Sequence, residues 1–218
     1  LKIETYLIKV IHPGIDVYDD FITEDDKKNV ADIVGNNSPV ITTLARVEER
    51  KGHMFVLKAL PEVKKKFPNV LYLIAGKGPY LEKIQNITKE MNLENNVKFL
   101  GWITEPEKSL ILKRSDLFVM TPTTVGESVE GFGMAYIDAS FHGVASIGSD
   151  SGGVSDAILN NKTGIICESG NQKMITEKIL LLLENKKLRE SMGVNGKSRA
   201  NQNYAWDKKI IEYLDAIK

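Results

Sequence analysis

The chain has 218 residues, of which 42% are hydrophobic and 27% are charged, a composition ordinary for a folded globular protein. Lys plus Arg and Asp plus Glu each number 29, so no net charge attracts the chain to nucleic acid or to an anionic membrane, and only a local basic phosphate site is compatible with this balance. Its one cysteine, Cys167, excludes an internal disulfide and a cysteine-rich metal site, and fits a reducing compartment. No apolar stretch approaches the length of a membrane span, so we expect no transmembrane segment.

Short apolar runs bounded by Gly, Pro or Asn alternate with longer amphipathic stretches along most of the chain. The short runs predict buried strands, at 40–45, 70–75, 97–100, 117–120, 144–147 and Gly164–Cys167. The longer stretches predict helices, at 55–67, 80–91, 105–114 and 133–141. The tail at 172–218 is predicted to be entirely helical, with breaks near Asn185 and Asn203.

This alternation predicts an α/β fold, a Rossmann-like parallel sheet with helices on both faces. We expect one domain over residues 1–218, with 172–218 as a helical C-terminal extension. Ligands of such sheets bind at the carboxyl ends of the strands, so the turns that follow the predicted strands are the candidate sites.

The turn at 45–52 places three basic residues, Arg46, Arg50 and Lys51, after the first predicted strand. A guanidinium and an ammonium that converge there would suit a pyrophosphate through charge-assisted hydrogen bonds. The alternative is a solvated loop balanced by Glu48 and Glu49.

Two glycines, Gly76 and Gly78, follow the second predicted strand, and a tight turn is the commoner explanation for such a pair.

Glu130, Gly131 and Gly133 precede a predicted helix that carries Asp138. Glycines at a helix start expose backbone N–H groups to an anion, and carboxylates accept hydrogen bonds from sugar hydroxyls. The alternative for this segment is a helix cap with a buried, paired aspartate.

The remaining features have simpler structural interpretations. The turn at 149–153 reads as a structural loop before a helix. The histidines His12, His53 and His142 lack metal-ligand spacing, and His142 suits the end of a helix. Because no Asp-x-Asp pair occurs, a metal-bridged diphosphate is not indicated. We expect no metal and no cofactor.

The order of these turns resembles the C-terminal domain of family 4 glycosyltransferases, which have the two-domain GT-B fold and retain the anomeric configuration. The matching segments span nearly the whole chain: VIHPGID at 10–16, ARVEERKG at 45–52, LIAGKGP at 73–79, VKFLGWI at 97–103, DLFVMTP at 116–122, EGFGMAYIDASFHG at 130–143, SDSGGVSDAILNNKTG at 149–164 and YAWD at 204–207.

The resemblance implies roles for individual residues. Arg46 and Lys51 match the pair that holds the donor diphosphate, and Glu130 matches the acidic residue near the transferred sugar. The backbone amides of three residues match those that contact sugar and phosphate: Phe132, Gly133 and Met134. A second group matches positions around the nucleoside: Ile103 and Gly78 near the base, and Asp138 on the ribose.

Three departures from the family pattern concern the same turns. Asp138 is one methylene shorter than the usual Glu, Ala45 replaces a usual Gly, and Phe141-His142 replaces Ala-Cys. The family's N-terminal acceptor domain has no counterpart in the 218 residues, so we expect the fragment to be inactive alone.

The resemblance implies a glycosyltransferase that moves a hexose from a UDP- or GDP-sugar to a glycan or lipid-linked acceptor, in polysaccharide or lipopolysaccharide biosynthesis. We expect it in the cytoplasm, with peripheral contact at the inner face of the membrane left open. Two other functions stay open at this point: a sugar-nucleotide epimerase of GT-B fold, and a non-catalytic nucleotide-sugar-binding module.

Overall fold

A computed structural model describes residues 9–16 and 19–217. Within that part of the chain six parallel strands form one sheet, in the order β3-β2-β1-β4-β5-β6. Their bounds are β1 (Val40–Leu44), β2 (Leu71–Ala75), β3 (Val97–Gly101), β4 (Leu117–Val119), β5 (Ser146–Ser149) and β6 (Gly164–Cys167). The predicted parallel α/β sheet is confirmed.

The helices connect successive strands and continue to the end of the described chain. Their bounds are α1 (Glu24–Val34), α2 (His53–Lys66), α3 (Leu81–Glu90), α4 (Glu105–Lys113), α5 (Met134–Phe141), α6 (Val154–Ala157), α7 (Gln172–Glu184), α8 (Lys186–Asn203) and α9 (Trp206–Ala216). The predicted helices and the helical tail are confirmed to within about two residues, whereas α1 was not predicted.

Helices cover both faces of the sheet, and successive side chains along each strand pack against opposite layers of helices. Ile41 and Tyr72 are buried in the cluster that includes α2, α3 and α7, while Val40 and Leu71, their neighbours in the chain, are buried against α1 and α4. Burial on both faces explains why these strands read as continuous apolar runs.

The strand β5 differs from its prediction, 144–147, because its ladder runs from Ser146 to Ser149. Val144 instead donates its amide to the carbonyl of Ala139, which closes the end of α5. Gly148 lies in the strand because a Cβ there would be 2.7 Å from Val154 Cγ1. Because β5 consists largely of small residues, apolar patterning predicted its start two residues before the observed one.

The strand order creates a crevice between β1 and β4. The chain moves outward from β1 through β2 to β3 and then returns to the other side of β1. Ligands of such sheets bind at this reversal, outside the carboxyl ends of the strands.

Among residues 9–16 and 19–217, no helix combines the length and apolarity that a bilayer crossing requires.

Candidate functional site

The basic turn after β1 is fixed to the loop after β4, on the opposite side of the crevice. Its 3-10 turn, Glu49–Lys51, ends at Gly52, where φ is 80° and an added Cβ would be 2.1 Å from the carbonyl oxygen of Thr121. The amide of Thr123 donates to the carbonyl of Arg50 at 2.8 Å. The sequence therefore needs glycine at 52 so that the basic side chains sit at the crevice.

Glu130 is the centre of a chain of ion pairs. Its Oε2 lies 2.5 Å from Lys51 Nζ and 3.4 Å from Arg50 Nη1. Glu48 then joins Arg50, at 3.1 Å, to Arg46, at 3.0 Å. The side chains of Lys51 and Glu130 are 12% and 10% exposed, whereas that of Arg46 is 70% exposed. The structure thus brings Lys51 and Glu130 into direct contact and connects Arg46 to them only through two intermediates.

The backbone at Glu130 is held in place by the predicted structural turn at 149–153. Gly152 has φ of 60°, and an added Cβ would be 2.0 Å from the carbonyl oxygen of Glu130. The amide of Gly153 donates to that same carbonyl at 2.8 Å, and a Cβ on Gly153 would be 2.0 Å from the carbonyl oxygen of Gly131. Both glycines are therefore required by a close backbone contact that positions Glu130.

The helix α5 begins directly beside this carboxylate. Gly133, its N-cap, has φ of 89° and provides no side-chain cap. Within the described residues, the amides of Phe132, Gly133 and Met134 have no protein acceptor. Unpaired amides and the positive end of the helix dipole favour an anion at this position.

These groups line a cavity of about 320 Å³, the Glu130 cavity. Its walls are Leu44, Lys51, Met120, Glu130, Gly131, Phe132, Gly133, Met134 and Ala135. The predicted sugar and phosphate residues therefore surround one space, except for Arg46.

Arg46 lines a neighbouring cavity of about 220 Å³, the Arg46 cavity, which shares Leu44 with the Glu130 cavity. Its walls are Leu44, Ala45, Arg46, Ala75, Gly76, Lys77, Gly101, Trp102, Ile103, Glu105 and Lys108. Ile103, predicted to contact a base, lies here beside the 75% exposed Trp102. The two cavities adjoin along the carboxyl edge of the sheet.

Gly78 has a packing role in the structure. A Cβ at Gly76 would be 1.9 Å from the carbonyl oxygen of Ala45, and one at Gly78 would be 2.3 Å from that of Val47. The two glycines thus let the turn after β2 lie against the turn after β1. The Arg46 cavity is lined by Gly76 and Lys77, and a ligand contact from Gly78 stays a prediction.

Asp138 lies one helical turn into α5 and is paired. Its Oδ1 is 2.8 Å from Lys108 Nζ, which also lies 2.6 Å from Glu105 Oε2. Burial raises the pKa of the Asp138 carboxyl, and the charge of Lys108 offsets part of that rise. Burial would lower the pKa of Lys108, but Asp138 and Glu105 raise it above its usual value. The alternative of a buried, paired aspartate therefore describes Asp138 in this structure.

Asp138 lines a third space, of about 230 Å³, the Asp138 cavity. Its walls are Gly14, Ile15, Asp16, Glu105, Lys108, Met134, Asp138 and Trp206. It shares Met134 with the Glu130 cavity, and Glu105 and Lys108 with the Arg46 cavity. The three cavities are therefore parts of one groove that contains every predicted site residue except Gly78.

Two residues that pair with the site's carboxylates were not selected from the sequence. Arg50 belongs to the predicted basic turn, but only the folded chain shows that Arg50 contacts Glu130, whereas Arg46 does not. Lys108 had a local signal, its spacing from Glu105 on one helix face, but its contact with Asp138 joins two helices.

His142 was predicted to pair with the end of its helix, and this is confirmed. His142 Nδ1 lies 2.8 Å from the carbonyl oxygen of Asp138, and its Nε2 lies 3.0 Å from Ser109 Oγ. In the part of the chain that the structure describes, no group of three His, Cys, Asp or Glu side chains is placed to hold a metal ion.

Comparison with known sequences identifies the family of this chain. The model of glycosyl transferases group 1 matches residues 24–199. A GDP-mannose-dependent alpha-(1-6)-phosphatidylinositol monomannoside mannosyltransferase of Mycolicibacterium smegmatis is 32% identical over 198 residues, which cover 89% of this chain and 52% of that protein. The chain thus spans about half the length of the curated relatives it matches.

Solved structures share the fold. The crystal structure of Anabaena HepE in complex with UDP and glucose superposes with a TM-score of 0.82 at 21% identity, over 96% of this chain and 56% of that one. The C-terminal domain of a glycosyl transferase group 1 family protein, LpcC from Francisella tularensis, gives a TM-score of 0.72 at 21% identity, over 88% of this chain and 99% of that one. With the family match spanning most of its length and a parallel sheet of GT-B type, this chain belongs to the glycosyl transferases group 1 family.

Proposed function

We propose that this chain is the donor-binding half of a retaining hexosyltransferase that uses a nucleotide-diphosphate sugar. The observation that carries the proposal is the contact of Lys51 with Glu130 beside the unpaired amides that begin α5. This arrangement offers cationic and N–H donors to a diphosphate, and a carboxylate to sugar hydroxyls, within one cavity.

In this mechanism the bond between the anomeric carbon and the diphosphate oxygen breaks while the acceptor oxygen bonds to that carbon. The proton of the acceptor hydroxyl passes to the departing diphosphate. Lys51 and Arg46 stabilise the negative charge that develops on the leaving group, which is the largest contribution expected of such a site. Glu130 orients the sugar and supports the positive character of its anomeric carbon.

The diphosphate is proposed to bind without a metal bridge. Arg46 and Lys51 line the groove, and ion pairs through Glu48, Arg50 and Glu130 connect them. These cations and the α5 amides supply positive charge and hydrogen-bond donors to the diphosphate, whose charge a metal ion neutralises in other sites. Chelation with EDTA is therefore expected to leave nucleotide affinity unchanged, and a marked loss would contradict this part of the proposal.

The first donor to test is GDP-mannose, because the Mycolicibacterium smegmatis relative is named as GDP-mannose-dependent. UDP-sugars are the alternative donors. We propose a glycan or lipid-linked acceptor that binds to a second domain, since the relatives are about twice as long. Closure of two domains would exclude water and place the acceptor hydroxyl. A lipid-linked acceptor would place the reaction at the cytoplasmic face of a membrane.

Titration calorimetry of the chain with GDP, UDP and their sugar conjugates tests donor binding directly. We expect one nucleotide to bind, and its affinity to fall in Lys51→Ala and Arg46→Ala. If no nucleotide binds, the proposal is wrong. Product analysis of the longer protein separates a transferase, which needs an acceptor, from an epimerase, which converts its nucleotide sugar alone.

A further inference from the structure

His12 stacks on Phe132, a wall residue of the Glu130 cavity. The centroids of the two rings are 4.1 Å apart and their planes differ by 12°. Tyr204 completes an aromatic cluster, since its ring centroid lies 5.5 Å from that of Phe132 and 6.4 Å from that of His12. Phe132 is 9% exposed, so contacts within the protein hold its ring, and the two neighbouring rings are among them.

Phe132 supplies the only side chain of the loop 131–133, because Gly131 and Gly133 stand on either side of it. Glycine adds no side-chain contact and permits many backbone conformations. This loop leads into α5 and includes two of the three unpaired amides that begin that helix. The packing of the Phe132 ring therefore helps to decide where these amides point.

The segment that carries His12 is fixed to the C-terminal tail. The amide of Ile15 donates to the carbonyl of Tyr204 at 2.8 Å, and a Cβ added to Gly14 would be 2.7 Å from the ring of Trp206. His12 Nε2 also lies 3.9 Å from Asp156 Oδ2 on α6, but the Asp156 side chain is 59% exposed. An ion pair at that distance and exposure contributes little, so the stack on Phe132 is the main contact between His12 and the site.

We propose that His12 is a positioning residue for the donor: its imidazole stacks on Phe132 and so holds the loop 131–133 with the α5 amides facing the diphosphate. This inference rests on the proposed function, which supplies the diphosphate. His12 acts through Phe132 and makes no contact with the ligand in this role. The requirement at position 12 is a flat ring, because stacked aromatic pairs contribute more than the burial of their area alone.

The test measures the affinity of variants for GDP or UDP, whichever binds, by calorimetry. His12→Leu should bind the nucleotide about three- to tenfold more weakly, because an aliphatic side chain of similar size loses the stack. His12→Phe should bind within about twofold of the wild-type chain, since its ring can still stack. Asp156→Asn is the matched control, because it removes the charge that faces His12 and leaves the stack intact, and it should bind like the wild-type chain.

A double-mutant cycle with Phe132→Leu shows whether His12 acts through Phe132. In the Phe132→Leu background, His12→Leu should weaken binding little further, so that the two effects are not additive. Additive effects would overturn the inference, and so would a loss in His12→Phe or Asp156→Asn as large as that in His12→Leu.

Urea unfolding without nucleotide checks that each variant folds. Should His12→Leu fail to fold, His12→Phe and Asp156→Asn decide the question, since the inference requires both to bind like the wild-type chain. Absence of all nucleotide binding by the wild-type chain would instead defeat the proposed function.

Discussion

Lys51 Nζ lies 2.5 Å from Glu130 Oε2, and both side chains are largely buried. A diphosphate that enters this cavity must therefore compete with a carboxylate for the same ammonium. Charges removed from water interact more strongly than charges at the surface, so this competition has a measurable effect on affinity. Changes at the two residues should accordingly have opposite effects on nucleotide binding.

Replacement of Lys51 by Met should weaken nucleoside-diphosphate binding by about ten- to hundredfold, because charge-assisted hydrogen bonds to a phosphate are lost. Methionine keeps most of the apolar stem, so the cavity wall is preserved. The measurement is calorimetry with GDP or UDP, with Lys65→Met as the control for loss of one positive charge. An unchanged affinity would remove Lys51 from the phosphate site.

Replacement of Glu130 by Gln should strengthen binding of the nucleoside diphosphate by about two- to tenfold, because the carboxylate that competes for Lys51 is gone. The gain should be smaller for the nucleotide sugar, since a carboxylate acceptor for its hydroxyls is also lost. Calorimetry with both ligands measures this difference. A loss as large as that in Lys51→Met would show that Glu130 supports the diphosphate site and does not compete with it.

Apolar patterning was enough to predict the sheet, because strands buried on both faces leave continuous runs such as Leu71–Ala75 in the sequence. It did not reveal α1, whose buried residues are only Val30 and Val34. A capping box between Thr23 and Asp26 does mark the start of that helix, but its polar composition leaves few apolar residues to indicate the rest.

The site was predictable where its parts are local and unpredictable where they are not. The basic turn and the glycines before α5 are contiguous in sequence, so Lys51 and Glu130 could be named. Which cation reaches Glu130 depends on the backbone contact of Gly52 with Thr121, which joins segments far apart in the chain. The pairing of Asp138 with Lys108 likewise exists only once α4 and α5 are side by side.

Replacement of Gly152 by Ala should destabilise the fold and weaken nucleotide binding, because the new methyl group meets the carbonyl oxygen of Glu130 at 2.0 Å. Gly126→Ala is a matched control: its φ of 59° is close to the 60° of Gly152, but nothing lies within 4 Å of an added Cβ. The control should lose about 1–2 kcal/mol from left-handed backbone strain. Urea unfolding should show a larger loss in the free energy of unfolding for Gly152→Ala than for Gly126→Ala. Equal losses would mean that the turn at 149–153 shifts to accommodate the new methyl group without strain.

His53 connects the basic turn to the stability of the whole chain. It begins α2 directly after Lys51 and Gly52 and is 1% exposed. Burial, together with the charge of Lys51, lowers the pKa of the imidazole from 6.5 to about 4, although a contact with the backbone of Glu48 opposes part of that fall. The ring is therefore neutral in the folded chain at neutral pH, whereas it takes up a proton in the unfolded chain as the pH falls below about 6.5.

Because the unfolded state binds more protons between these two values, the free energy of unfolding should fall as the pH drops from about 6.5 toward 4. At about 1.4 kcal/mol for each pKa unit, the contribution of His53 reaches roughly 3 kcal/mol. Urea unfolding of the wild-type chain and of His53→Gln, at pH 7 and pH 4.5, measures it as the difference between their pH dependences. His142, whose pKa is also lowered by burial, titrates in both proteins and cancels. Parallel curves for the two proteins would mean that the imidazole of His53 is solvated or paired when the chain is folded.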